Sequence, residues 1–395
     1  MRRRSLLAMG AAGSVAAVLG TDTVASAAAS GAKLATKASN EFDPTSLRAL
    51  GQQIGMHIGS AIIPQDLNTP AWAAIAAAQF NVYTPGNEMK WQVVEPQQGV
   101  FDWSGADNLM AFAKMNDARV RGHTLVWHNQ LPDWLTTGVG NGTITTSQLW
   151  SLLEEHIFTE VGRFKGRIWQ WDVANEFFAN AWDPHPTADG LNGDDFWIKN
   201  LGPTVLPKAF QWAHEADRGA LLFYNDFNIA GEDGTNAKSD AVFAWAQTML
   251  NQGVPLMGIG NQGHLDTQFG FSGQRFQADL ERYASLGLKV AITEADVRTF
   301  VDGPTTQVPT SNLALFAQPF EFGQMMKAAI AVPNVISFTV WGFTDADSWV
   351  PGFFTGEGYA TIYDVNQNPK PAYFELQQDL MQAAGVKHHV RTRNG

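Results

Sequence analysis

Ile168-Trp169-Gln170-Trp171-Asp172-Val173-Ala174-Asn175-Glu176 starts on a β-branched residue, passes through two tryptophans and a valine, and ends on an amide and a carboxylate. Such a run reads as a strand buried on both faces whose last residues emerge at one end of a sheet. Similar β-branched or aromatic runs begin near Ile54, Val82, Val120, Leu221, Met257, Val290 and Ile336, so that eight starts lie 28 to 53 residues apart. Helical periodicity fills the intervals. Leu149, Leu153, Ile157, Val161 and Phe164 follow a capping box at Thr145 and Gln148, and Phe276, Leu280 and Tyr283 end at Gly287 as a helix C-terminus should. Strand and helix alternating eight times with no orphan elements predicts a single (β/α)8 TIM barrel rather than an open doubly wound sheet.

In such a barrel chemistry belongs at the C-terminal ends of the strands, while polar groups buried lower down read as liabilities. The predicted strand ends are Asn87 and Lys90; His123, Trp127 and His128; Asn175 and Glu176; Asn225 and Asp226; Gln262 and His264; Glu294 and Asp296; and Trp341. Seven consecutive strands thus end in polar or Trp side chains. Glu176 and Glu294, after strands four and seven, face each other across the mouth. Paired acids in different surroundings suit acetal hydrolysis, because one must donate a proton while the other stays ionised. Asn175 is placed to bond a sugar hydroxyl beside the reacting carbon, and His264 to hold Glu294 in one rotamer. The bland alternative is that both glutamates form rim salt bridges.

Two motifs point elsewhere and are set aside. Gly258-Ile259-Gly260-Asn261-Gln262-Gly263 satisfies G-x-G-x-x-G, but the glycines lie inside a predicted strand and no helix opens before about Gly273, so a pyrophosphate finds no helix N-terminus. They read as close backbone packing. His123 and His128 are five apart on opposite strand faces and cannot form a metal pair in the mouth. No metal site is expected.

Over the whole 395 residues, 45% are apolar and 16% charged, which excludes a disordered chain. The net charge of -12 has the wrong sign for nucleic acid, and the absence of cysteine excludes disulfides, thiol nucleophiles and cysteine-rich zinc sites. Fourteen tryptophans exceed what a core needs and offer flat faces on which a sugar ring can lie. Arg2, Arg3 and Arg4 precede an apolar stretch from Leu6 to Gly20 and an A-x-A site at Ala25-Ser26-Ala27, so residues 1–29 read as an export signal, also matching a twin-arginine pattern. The apolar part is too short for a membrane anchor. Its removal takes away three basic and one acidic side chain, leaving an acidic extracellular protein of net charge about -14. A lead-in at 30–42, one catalytic domain at 43–384 and a mobile tail at 385–395 complete the expected organisation.

Several segments together resemble glycoside hydrolase family 10, the retaining endo-β-1,4-xylanases, over roughly Asp43 to Ala384. Gly122-His123-Thr124-Leu125-Val126-Trp127-His128-Asn129-Gln130-Leu131-Pro132 looks like the family's third-strand signature. Trp171-Asp172-Val173-Ala174-Asn175-Glu176 resembles the segment carrying its acid/base, and Ile292-Thr293-Glu294-Ala295-Asp296-Val297-Arg298 the one carrying its nucleophile. Gln262-Gly263-His264-Leu265, Thr339-Val340-Trp341-Gly342 and the segment from Asp345 to Trp349 extend the likeness. The resemblance implies that Glu294 attacks the anomeric carbon and Glu176 protonates the leaving oxygen, the two carboxyls standing about 5–5.5 Å apart as in retaining enzymes. It further implies that Asn87, Lys90, His123, Trp127, Asn175 and Gln262 hold the non-reducing-side sugars. Trp341 and Trp349 would wall the cleft, and Asp296 would orient His264. No cofactor is implied, though a structural calcium has room; the expected partner of this monomer is β-1,4-xylan or a related plant glycan.

One position departs from the family pattern. Where the second strand usually reads Glu-Asn-x-Met-Lys-Trp, this chain has Gly86-Asn87-Glu88-Met89-Lys90-Trp91, and a charge-assisted bond to sugar worth about 1.5–3 kcal/mol is missing. Glu88, on the same strand face, offers a partial substitute, but the family tolerates several residues there and the favoured reading is that the contact is lost. A same-mechanism alternative to xylan is another β-linked glycoside, such as a plant saponin's sugar chain. A catalytically silent glycan-binding protein would need the same cleft without turnover, and transglycosylation would share the covalent intermediate.

Overall fold

Eight parallel strands pair in sequence order and close on themselves: β1 (His57–Ile62), β2 (Val82–Pro85), β3 (Arg119–Val126), β4 (Gln170–Asn175), β5 (Leu221–Asp226), β6 (Gly258–Asn261), β7 (Lys289–Phe300) and β8 (Val335–Val340). β8 pairs with β1, so the sheet has no free edge within the barrel. The computed structural model describes residues 43–232 and 234–386; the export signal at 1–29, the lead-in at 30–42 and the tail beyond 386 lie outside the described residues. Eight outer helices follow the strands, from Pro70–Gln79 after β1 to Pro371–Ala383 after β8. The predicted (β/α)8 barrel is the fold. Among the described residues no helix is long and apolar enough to cross a membrane.

The helix Thr146–Arg163 starts where its sequence says: Gln148 N donates to Thr145 Oγ1 at 3.3 Å and Thr145 N to Gln148 Oε1 at 2.9 Å. Its buried face, Leu149, Leu153, His156, Ile157, Glu160 and Val161, packs on the barrel wall. The first strand is the element displaced from its expected place. Ile54 instead caps the helix Leu47–Gln53, and Gly55, at φ +76°, turns the chain so that extended backbone begins at His57.

The expectation of no orphan elements also fails. Short helices Trp91–Val94, Asp133–Gly140, Phe196–Leu201 and Val350–Phe353 follow β2, β3, β4 and β8, His264–Asp266 pairs in parallel with β7, and Glu357–Gly358 pairs antiparallel to its end. The connections at this face of the barrel are long, and their backbone groups need partners of their own.

Inside the wall, glycines make room for rings. A Cβ on Gly122 would stand 2.2 Å from Cε3 of Trp171, its partner in register on β4, and one on Gly258 2.3 Å from Cζ of Phe223. Gly260 is equally close to Asn225, so the G-x-G-x-x-G run is a packing feature of β6. Gly122→Ala should lower stability by about 1–3 kcal/mol. Denaturant unfolding is expected to show a lower midpoint at unchanged slope.

Candidate active site

Glu176 is the first residue beyond β4 and has a φ of +60°, a left-handed conformation that costs a side-chain-bearing residue about 1–3 kcal/mol. Neighbouring elements hold it there. Glu176 N donates to Asn225 O at 3.0 Å, and the next amide, Phe177 N, donates to Tyr224 Oη at 3.0 Å. Its carboxylate takes two neutral donors, Trp127 Nε1 to Oε2 at 2.8 Å and Gln262 Nε2 to Oε1 at 2.9 Å.

Glu294 lies within β7, buried, its amide bound to Gln262 O at 2.9 Å. Its partners differ in kind. Asn225 Nδ2 donates to Oε1 at 2.8 Å, Arg121 Nη2 stands 3.4 Å from the same oxygen, and His264 Nε2 is 3.5 Å from Oε2. Burial alone would raise its pKa, but the His264 bond and the charges of His123, His264 and Arg121 bring it down to about 2. His264 sits between carboxylates, with Nδ1 3.0 Å from Asp296 Oδ1, and Trp349 Nε1 donates to Asp296 Oδ2 at 2.8 Å. Burial opposes its charge, yet Asp296 and Glu294 push its pKa up to about 10.

The two glutamates are joined by a side-chain relay. Asn225 Nδ2 bonds both Glu294 and Asn175 Oδ1 (2.8 Å), and Gln262 Nε2 spans Asn175 Oδ1 (3.4 Å) and Glu176. The donors of Trp127 and Gln262, expected on sugar, are therefore aimed at Glu176. On the β2 and β3 side Lys90 Nζ donates to Gln130 Oε1 at 2.7 Å and Asn87 Oδ1 at 3.3 Å, and lies 4.9 Å over the Trp127 ring. Trp341 packs edge-on to His123 at 5.3 Å, and His123 Nδ1 is 2.8 Å from Asp172. His128 turns away to Asp195 at 3.1 Å.

Glu88 does not take the place left at Gly86. The chain leaves β2 at Pro85, so the carboxylate folds back onto Asn87 N at 3.0 Å and its stem lies against Gly105. The expectation that buried polar groups avoid the lower barrel is corrected. Arg121 is buried with Nε on Asp172 at 2.8 Å and Nη1 on Thr293 O at 2.7 Å, a satisfied cation beneath Glu294. Arg121, Asp172, Asn225 and Gln130 are the site residues to which sequence reasoning assigned no role. For Arg121 the signal was present: a charge in an apolar run, two residues before His123 and so on the same face.

The sequence profile described as glycosyl hydrolase family 10 matches residues 46–379. The chain is similar to endo-1,4-beta-xylanase B of Thermotoga neapolitana, 38% identical over 335 residues that cover 84% of this chain and 90% of that protein. Two solved structures resemble it. Xylanase 10B of Thermotoga petrophila RKU-1 in complex with xylobiose is 37% identical, with TM-score 0.77 and coverage of 86% of this chain and 98% of the other. Native xylanase 10B of Thermotoga maritima is 38% identical, with TM-score 0.77 and coverage of 87% and 100%.

The Glu294 contribution to stability is in place above the ordinary value of 4.5 and is lost as pH falls toward 2. That of His264 is in place below 6.5 and is lost as pH rises toward 10. Thermal unfolding across pH should therefore show the gap between wild type and His264→Gln widest near pH 4.5–6.5 and shrinking toward pH 10. A gap independent of pH would overturn the ion pairing.

Proposed function

The chain belongs to glycosyl hydrolase family 10, and from that premise we propose that it is an exported, retaining endo-β-1,4-xylanase that cuts internal bonds of xylan by double displacement. The observation carrying this reading is the contrast between the two carboxylates. Glu294 is surrounded by cationic donors that keep it ionised, whereas the side-chain donors on Glu176 are the neutral Trp127 and Gln262. A nucleophile must be an anion; an acid must be able to hold a proton. The complex of the Thermotoga petrophila enzyme with xylobiose supports the same substrate class.

In the first step the Glu176 carboxylic acid gives its proton to the glycosidic oxygen as a Glu294 oxygen attacks the anomeric carbon, breaking the C–O bond and forming a glycosyl ester. His264 and Asn225 hold the attacking carboxylate in one orientation, so little rotational freedom is lost at the transition state. In the second step Glu176, now a carboxylate, takes a proton from water, whose oxygen attacks the same carbon and frees Glu294. Two inversions keep the anomeric configuration.

NMR of the products from linear xylan and a linear xylo-oligosaccharide should show short oligosaccharides appearing first as the β-anomer; the α-anomer appearing first would refute double displacement. Glu176→Gln should lose about 10²–10⁴-fold in kcat/KM on unactivated substrates, and less on aryl glycosides whose leaving group needs no proton.

A second reading keeps the mechanism and changes the glycan. Gly86 supplies no side chain and the Glu88 carboxylate is turned onto Asn87 N, which favours weaker binding of the distal non-reducing sugar. A panel of xylan, β-glucan and saponin glycosides separates the two: a kcat/KM highest for xylan fixes the first. Export rests on residues 1–29, outside the described residues, and N-terminal sequencing of protein from the medium should begin between Ala28 and Ser30.

A further inference from the structure

Lys238 is buried in the first turn of the helix Ala237–Asn251, which follows β5, and takes no part in the steps above. Its Nζ bonds Asp226 Oδ1 at 2.7 Å, on the last residue of β5, and Asn180 Oδ1 at 3.0 Å, in the segment 177–195 that follows Glu176. The neck of that segment is closed by the Phe178–Leu191 bridge and by Ala179 N donating to Gly190 O at 2.9 Å. One cation thus joins three elements behind Glu176.

The ion pair reaches Glu176 through a single hydroxyl. Asp226 gives Oδ1 to Lys238 and to Phe227 N at 2.9 Å, which leaves Oδ2 to accept from the Tyr224 hydroxyl at 2.5 Å. With its proton committed to Asp226, the Tyr224 oxygen offers a lone pair to Phe177 N at 3.0 Å, the amide directly after the left-handed turn at Glu176. Burial and the Asp226 charge push the Tyr224 pKa well above its ordinary value, so the hydroxyl keeps that proton. Trp245, two helical turns after Lys238 and so on the same helix face, packs on the Tyr224 ring at 5.0 Å.

The direction of these bonds depends on Asp226 being an anion. Burial raises its pKa, and the neighbouring charge of Lys238 pulls it back. An uncharged Asp226 could instead donate to the Tyr224 oxygen and compete with Phe177 N for its lone pairs. Buried ion pairs stabilise little beyond apolar side chains of equal volume, so what this one adds is direction. A residue at φ +60° keeps that conformation only where its surroundings over-determine it, and a 1 Å misplacement of a reacting group costs about 100-fold in rate.

We propose that Lys238 is a positioning residue for the acid/base: through Asp226 and the Tyr224 hydroxyl it fixes the backbone turn that aims Glu176 at the glycosidic oxygen. This rests on the retaining-xylanase reading. The experiment compares wild type with Lys238→Met and Tyr224→Phe on aryl β-xylobiosides whose leaving groups run from dinitrophenol, which departs without a proton, to phenol, which needs one. Here kcat/KM reports formation of the glycosyl ester.

Both variants should lose about tenfold more on the phenyl than on the dinitrophenyl xylobioside, through kcat rather than KM, so that kcat/KM falls more steeply with leaving-group pKa than in wild type. Tyr224→Phe deletes one oxygen and carries the test alone if Lys238→Met does not fold. Losses equal across leaving groups, losses through KM, or none at all in folded variants would overturn the positioning role and leave the xylanase reading intact. A steep profile in Tyr224→Phe beside an unchanged one in folded Lys238→Met would overturn the role of Lys238. Folded wild type that cleaves neither xylan nor any aryl xylobioside would overturn the xylanase reading as well.

Discussion

A guanidinium buried in the barrel sets the terms for everything above it. Arg121 cannot give up its charge, and its cost in a dry interior is offset only where its donors find partners. It finds Asp172 on β4, the Thr293 carbonyl on β7 and, at 3.4 Å, Glu294 itself. Three strands are thereby tied through one side chain, and His123 from β3 shares the same Asp172 oxygen at 2.8 Å. Leaving such a pair half-made costs about 3–5 kcal/mol, so the placing of β4 against β7 depends on a charge buried beneath Glu294.

The rim is braced from outside as well. His156, on the helix Thr146–Arg163, stacks on Trp91 at 3.8 Å and 3°, and its Nε2 lies 3.1 Å from Leu125 O. Trp197, stacked on the same Trp91, donates Nε1 to Trp127 O at 2.9 Å. Burial drives the His156 pKa down to about 3 and that of Glu160, 3.4 Å away, well above its ordinary value. Burial thus disfavours the charged form of both groups behind Lys90 and Trp127.

Much of this was legible in the sequence because parallel barrel strands are buried on both faces and appear as continuous apolar runs. Carboxylates ending such runs, Glu176 and Glu294, stand out against that background. What stayed hidden depends on partners distant in sequence. Arg121 looks like a liability until Asp172, 51 positions on, is placed beside it, and Asn225 is an ordinary strand-end amide until Glu294, 69 positions away, comes within 2.8 Å. Ile54 misled for a local reason: it lies where the chain turns, and β-branching carries no information about where extended backbone begins.

The Tyr224 hydroxyl, accepting from Phe177 N and donating to Asp226, makes the root of the segment 177–195 part of the barrel rather than of the loop. The bridge between Phe178 and Leu191 closes the neck just above it. The ends of the finger are thus already held together, and lengthening it adds only a slowly growing closure cost, about 0.6 kcal/mol for each doubling. The position of Glu176 is thereby held by the barrel below the neck and not by the length of the segment above it.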